Sequence, residues 1–142
     1  MSGEPLVFVD TNVLIYAFSS EKSAKSALAE AAVHRLIAED RLCLSTQVLQ
    51  EFFVVITKKM GVPRAEALEM IEYLGEYSLF RVDLRAILDA GRLCGSAKVS
   101  FWDALILIAA MRSGASVLLS EDLNSTQVFG ELRVENPFAA GA

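Results

Sequence analysis

Between Ala104 and Met111 the chain runs Ala-Leu-Ile-Leu-Ile-Ala-Ala-Met, eight residues with no polar side among them. A helix of this composition has no face to show to water, so the rest of the chain must cover it all round. Eight residues are far short of the roughly 20 that cross a bilayer, and the cover must therefore be protein. A chain of 142 residues, 54% of them hydrophobic, is enough for this in one domain spanning 1–142. At that length a fold buries roughly two-thirds of the surface its unfolded chain exposes.

The pattern along the chain says what kind of cover to expect. Short apolar runs at 6–9, 41–45, 79–82 and 117–119 read as strands, and 132–134 as a short fifth. Between them, helical periodicity covers 22–39, 47–59, 64–73 and 85–97, and the apolar helix itself runs 104–112. Gly61-Val62-Pro63 is a stop and restart signal between two of these helices. Strands that alternate with helices need crossover connections, so the expectation is a three-layer α/β/α sandwich around a parallel sheet of four to five strands. Ligands of such sheets bind outside the carboxyl ends of the strands. Asp10 follows the first run directly, and Asp122 lies three residues beyond Leu119. Parallel strands would bring both carboxylates to one edge.

Composition narrows the function less. The formal net charge is −5 and the isoelectric point about 4.9, which does not advertise capture of a polyanion. Cys43 and Cys94 lie far apart without a Cys-x-x-Cys spacing or nearby histidines, so reduced thiols are expected rather than a disulfide or a zinc site. No signal-peptide pattern or membrane span is visible, and a cytoplasmic protein without membrane partners is expected. His34 has no metal-binding companions near it in sequence and reads as a surface or boundary residue.

Four acids stand out by position, and each has a plain structural alternative. Asp10 in Asp-Thr-Asn is either a turn former that accepts backbone amides or a ligand at a strand end. Glu51 shares a polar helical stripe with Gln47 and Lys58, opposite Leu49, Phe53 and Ile56, and by periodicity alone is a solvated face residue. Asp103 opens the buried helix, where Ser100 and Asp103 have the spacing of a capping box and the helix dipole favours an acid in any case. Asp122 stands in a turn beside Glu121, and either acid could be the one that matters. Carboxylates gathered 4 Å apart repel by about 4 kcal/mol per pair at an effective dielectric near 20. A cluster of them needs protons or cations, and oxygen ligands without His or Cys suit Mg²⁺ or Mn²⁺.

The stretches around these acids carry a resemblance. Val7-Phe8-Val9-Asp10-Thr11-Asn12, Leu44 through Phe52, Ser100 through Ile106, Leu118 through Leu123, and the closing Val134-Glu135-Asn136-Pro137-Phe138 resemble, in order and spacing, the PIN-domain nucleases. More narrowly they resemble the toxins of VapBC-type toxin–antitoxin systems. From Asn124 onward the match weakens. The resemblance implies that Asp10, Glu51, Asp103 and Asp122 line one acidic pocket that binds one or two Mg²⁺ ions, with Mn²⁺ able to substitute. It also implies that Asn12 and Ser120, with Thr11 assisting, orient the acids. The implied activity is hydrolysis of RNA phosphodiester bonds by a metal-activated water, leaving 5′-phosphate and 3′-hydroxyl ends. The implied partners are RNA, a cognate antitoxin that sets a basic side chain in the pocket, and a second copy of the chain.

Lys58, Lys59, Arg64, Lys98 and Arg112 are the basic residues available for phosphate, with Lys58 the first choice. Trp102 could stack a base, but beside a buried helix start it reads as a packing anchor. Alternatives from other classes are a catalytically idle PIN-fold binding module and a stand-alone RNA-processing nuclease without an antitoxin. A phosphatase of the haloacid dehalogenase type would need a second aspartate where Asn12 stands. A dinucleotide-binding fold would need a glycine-rich loop after the first strand.

Overall fold

The computed structural model describes residues 4–123 and 128–139. Residues 124–127, where the family pattern weakens, lie outside the described residues. In chain order the elements are β1 (Val7–Val9), α1 (Thr11–Ala17), α2 (Ala24–Ala38), β2 (Leu42–Ser45), α3 (Thr46–Lys58) and α4 (Arg64–Leu74). There follow β3 (Ser78–Phe80), α5 (Leu84–Ala97), α6 (Phe101–Arg112), β4 (Val117–Leu119), β5 (Val128–Phe129) and β6 (Leu132–Glu135).

The six strands form one sheet in the order β3-β2-β1-β4-β6-β5. All pairings are parallel except β5 against β6. Helices flank the sheet in the expected α/β/α manner, but the sheet has one strand more than expected and is mixed. The additional strand is the two-residue β5, joined to β6 by a tight turn at Gly130-Glu131. Gly130 takes φ 62 there, a conformation that hairpin turns of this length require and glycine adopts without strain.

The all-apolar helix is α6, and its surroundings explain its composition. Ile106, Leu107, Ala109 and Ala110 belong to the main core on the sheet, which includes Phe8, Leu44 and Leu118. Ala104, Leu105 and Ile108 form a second cluster with Ala86 and Ala90 of α5. The helix is thus clamped between the sheet and α5, with small side chains in the α5 contact. Among the described residues no single helix is long and apolar enough to cross a membrane; only α5 and α6 taken as a pair, bent by 116°, have the length and composition.

A second difference concerns residues 11–17. The turn formers Asp10-Thr11-Asn12 read as the end of a strand, yet they start a helix. Asp10 is the N-cap of α1, and Val13, Leu14 and Ala17 bury its inner face. Strand gives way to helix without a connecting loop. The same occurs where Ser45, the last residue of β2, caps α3 through its side chain. The register sets Val9 beside Leu119, and the Asp10 N–H extends the ladder by donating to the Leu119 carbonyl at 2.9 Å. The ends of β1, β2 and β4 therefore meet at one edge, with helix starts on two of them.

Candidate metal centre

A cavity of about 530 Å³ opens at that edge, lined by Asp10, Thr11, Asn12, Gln47, Glu51, Trp102, Asp103 and Asp122, with apolar walls from Ile15, Val54, Val55 and Ile106. All four acids singled out from the sequence line it. No lysine or arginine does among the described residues.

Asp10 lies deepest, 6% exposed. Its Oδ1 accepts the Thr11 N–H at 2.7 Å, and its Oδ2 accepts the Ser120 hydroxyl at 2.8 Å. Burial pushes its carboxyl up to about 6 despite these two bonds, and the nearby Glu51 and Asp103 push it the same way. The deepest acid therefore carries its charge at a cost unless positive charge comes close.

Two of the other three acids are held by neighbours of Asp10. Thr11 donates its hydroxyl to Glu51 Oε1 at 2.6 Å. Asn12 donates Nδ2–H to Asp122 Oδ2 at 2.9 Å and accepts the Glu121 N–H at 3.2 Å. Ser120, fully buried, also takes the N–H groups of Asp122 and Leu123 at 3.3 and 3.4 Å. The side chains of Thr11, Asn12 and Ser120 thus each bond one of the carboxylates, and the Thr11 N–H a second. Asp103 stands in the first turn of α6, where its N–H is capped by Ser100 Oγ at 3.0 Å. Its carboxylate does not return that bond, so the capping box is only half made and the carboxylate faces the cavity without a donor among the described residues.

Glu121 is drawn elsewhere. It is bonded to Lys25 of α2, whose ammonium also lies 5.6 Å from the ring centres of both Tyr16 and Phe138. Of the two adjacent acids, Asp122 lines the cavity and Glu121 faces the cation.

Several expectations about the surroundings change. The Gln47–Glu51 stripe of α3 lines the cavity; Glu51 stays exposed at its mouth, while Gln47 is only 6% exposed. Lys58 is exposed at the end of α3, seven residues or roughly 10 Å beyond Glu51, and is not in the lining. Lys59 and Arg64 lie at and beyond that same end. Arg112 is at the far end of α6 from Asp103, paired with Asp89. Trp102 is not a packing anchor: it is 63% exposed at the cavity rim, its ring edge-on to Phe101. It sits in the first turn of α6, before the helix enters the core. His34 is exposed on α2, as expected.

Oxygen is the only donor type these acids offer, and neither His nor Cys lines the cavity. Such a set fits a hard divalent cation and not zinc. No three His, Cys, Asp or Glu side chains among the described residues are already gathered tightly enough to grip one ion. The acids surround the space as separate lining groups.

A mostly parallel sheet between helices, with four carboxylates lining a cavity at the carboxyl edge of its strands, defines an α/β protein with an acidic site. Residues 7–128 match the family model described as PIN domain, and the chain belongs to that family. Solved structures with the same fold include a toxin–antitoxin complex from Klebsiella pneumoniae, at 19% identity and TM-score 0.69, covering 93% of this chain and 98% of that one. VapC20 of Mycobacterium tuberculosis, a toxin that cleaves the sarcin–ricin loop, is 20% identical with TM-score 0.65, covering 82% and 91%. DNA-bound VapBC from Salmonella typhimurium is 18% identical with TM-score 0.67, covering 94% and 99%. At these identities the likeness is one of fold. No curated protein matches the chain in sequence.

Proposed function

We propose that the chain is an endoribonuclease that depends on Mg²⁺ or Mn²⁺ and serves as the toxin of a type II toxin–antitoxin pair. The observation that carries this is Asp10. Its carboxylate is buried, raised to about 6, and shares with Glu51, Asp103 and Asp122 a cavity whose lining contains no basic side chain among the described residues. That arrangement calls for one or two cations, and Asp10, Glu51, Asp103 and Asp122 are the residues that would hold them. When bound, a divalent ion supplies charge neutralisation at the phosphate and a water of lowered pKa.

The chain's own residues supply the rest. Ser120 and the Thr11 N–H hold Asp10 in one orientation. Thr11 takes one oxygen of Glu51 and Asn12 takes one oxygen of Asp122, which leaves the second oxygen of each for a ligand. Glu51 and Asp122, more exposed than Asp10, are the acids suited to take the proton of the attacking water. The 2′-hydroxyl has no part in such a hydrolysis, so preference for RNA rests on contacts outside the acids. Trp102 at the rim offers a stacking surface.

The toxin reading is supported by family membership and by relatives solved as toxin–antitoxin complexes. An antitoxin residue of positive charge placed in the cavity would answer the same electrostatic need as the cation. Dimerisation has an apolar surface at hand, the groove between α3 and α4 lined by Leu49, Phe53, Val54, Leu68 and Ile71. Light scattering on the purified chain tests it.

The activity is tested by incubating purified protein with structured RNA in Mg²⁺, Mn²⁺ or EDTA: cleavage with either metal and none in EDTA is expected. RNA binding without cleavage in any metal would establish the idle binding module instead. The toxin role is tested separately by induced expression, which should arrest growth unless the product of a neighbouring gene is co-expressed. Harmless expression of an active nuclease would leave the stand-alone enzyme.

A further inference from the structure

Gln47 is the only residue among those described that keeps a buried side-chain polar atom without a hydrogen-bond partner. It stands in the first turn of α3, one turn before Glu51, and lines the same cavity as Asp10 and Asp103. Its Nε2 donates to the Trp102 carbonyl at 3.4 Å. That contact sets the direction of the amide, because the reverse orientation would place Oε1 against another carbonyl oxygen. Oε1 is left closed off from open solvent and bonded to nothing.

A buried acceptor in this condition is destabilising, by more than the long bond on the other side of the amide returns. Groups of this kind in native proteins are normally met by an ordered water or a ligand. Carboxylates and phosphate oxygens have no hydrogen to give. Of the groups an acidic, cation-holding cavity would contain, a water polarised by the cation is the strong donor.

We propose that Gln47 is a positioning residue: through Oε1 it holds a water in the hydration shell of a divalent cation seated among the acids. This rests on the cation-dependent reading of the cavity above and adds to it a residue that is not an acid. The amide turns its donor to the Trp102 carbonyl, on the helix that carries Asp103, and its acceptor to the cation's water. It thereby ties the α3 acid Glu51 and the α6 acid Asp103 to one hydration shell.

The test is Mn²⁺ binding to the whole protein without RNA, followed by calorimetry and by water-proton relaxation, which reports the waters on the ion. Gln47→Met keeps the volume and removes the acceptor; it should weaken Mn²⁺ binding by about tenfold or more, the usual size of such outer contacts, and change the relaxation signal per bound ion. Gln47→Glu keeps an acceptor and adds charge; it should bind Mn²⁺ at least as tightly as wild type. Wild-type affinity in Gln47→Met, or weaker binding in Gln47→Glu, overturns the proposal, and each variant decides alone if the other fails to fold. A lower melting temperature in EDTA with unchanged Mn²⁺ affinity would make the amide purely structural. Unchanged Mn²⁺ affinity with lost preference for RNA over its 2′-deoxy analogue would make a ribose hydroxyl the donor instead. A wild-type protein that binds no Mn²⁺ would overturn the cation-dependent reading itself; Mn²⁺ binding that needs Asp10 but not Gln47 would overturn only this inference.

Discussion

Ser120 donates its hydroxyl hydrogen to Asp10 Oδ2 at 2.8 Å, joining residues 110 positions apart at the ends of two adjacent strands. Both side chains are buried, and the same serine oxygen accepts the N–H groups of Asp122 and Leu123. One hydroxyl therefore orients the deepest acid and shapes the turn that carries another. Removing it should be felt in stability and in chemistry together.

Ser120→Ala is expected to raise the Asp10 carboxyl above about 6, since a bond that favours the charged form is lost. The stability loss should be about 1–2 kcal/mol at pH 8 and smaller at pH 5, where Asp10 is already largely protonated. Urea denaturation at the two pH values, with carboxyl NMR for the titration, checks both parts.

Asp10→Asn should stabilise the metal-free protein at neutral pH while removing its chemistry. The sign follows from the raised carboxyl. Protonated Asp10 favours the folded state, so its contribution is fully present below the ordinary value of 3.8 and is lost as pH rises through about 6. In EDTA the variant should gain up to about 3 kcal/mol over wild type at pH 8 and little at pH 4. Equal stability differences at both pH values would mean that Asp10 is not strained by its charge.

Asp122 and Glu121 should separate cleanly. Asp122→Asn is expected to lower cleavage by at least about 10²-fold, whereas Glu121→Gln should cut RNA near the wild-type rate. Glu121 is occupied by Lys25, which Tyr16 and Phe138 flank. The opposite ranking in a cleavage assay would exchange their roles.

Trp102→Ala should melt close to wild type, because the ring is 63% exposed. If the ring stacks a base, KM for RNA should rise roughly tenfold with kcat little changed. Steady-state kinetics on a short oligonucleotide distinguishes this from a tryptophan without a substrate contact.

What could be read from the chain beforehand follows physical lines. The burial of α6 was legible because a helix without a polar face has no other option, and Asp10 and Asp122 were placed at one edge by strand ends alone. Glu51 was not, since a polar stripe looks the same whether it faces solvent or an acidic cavity, and Gln47 on that stripe was hidden for the same reason. The helix α1 was missed because Asp-Thr-Asn serves equally as a turn and as a helix start, and the difference lies in what Val13 and Leu14 pack against. β5 is too short to show an alternation; only Gly130-Glu131, between Val128-Phe129 and Leu132, marks a turn there. Trp102 was misread because its neighbours in sequence are buried while its own position in the first turn of α6 is not.

If the four carboxylates act together by holding a cation, loss of any one of them stops the chemistry. The most direct test is the rate of RNA cleavage in saturating Mn²⁺ by wild type, Asp10→Asn and Asp103→Asn, each verified as folded by circular dichroism. Cleavage by the wild type and none measurable by either variant is expected. Wild-type rates in both folded variants would contradict that joint action.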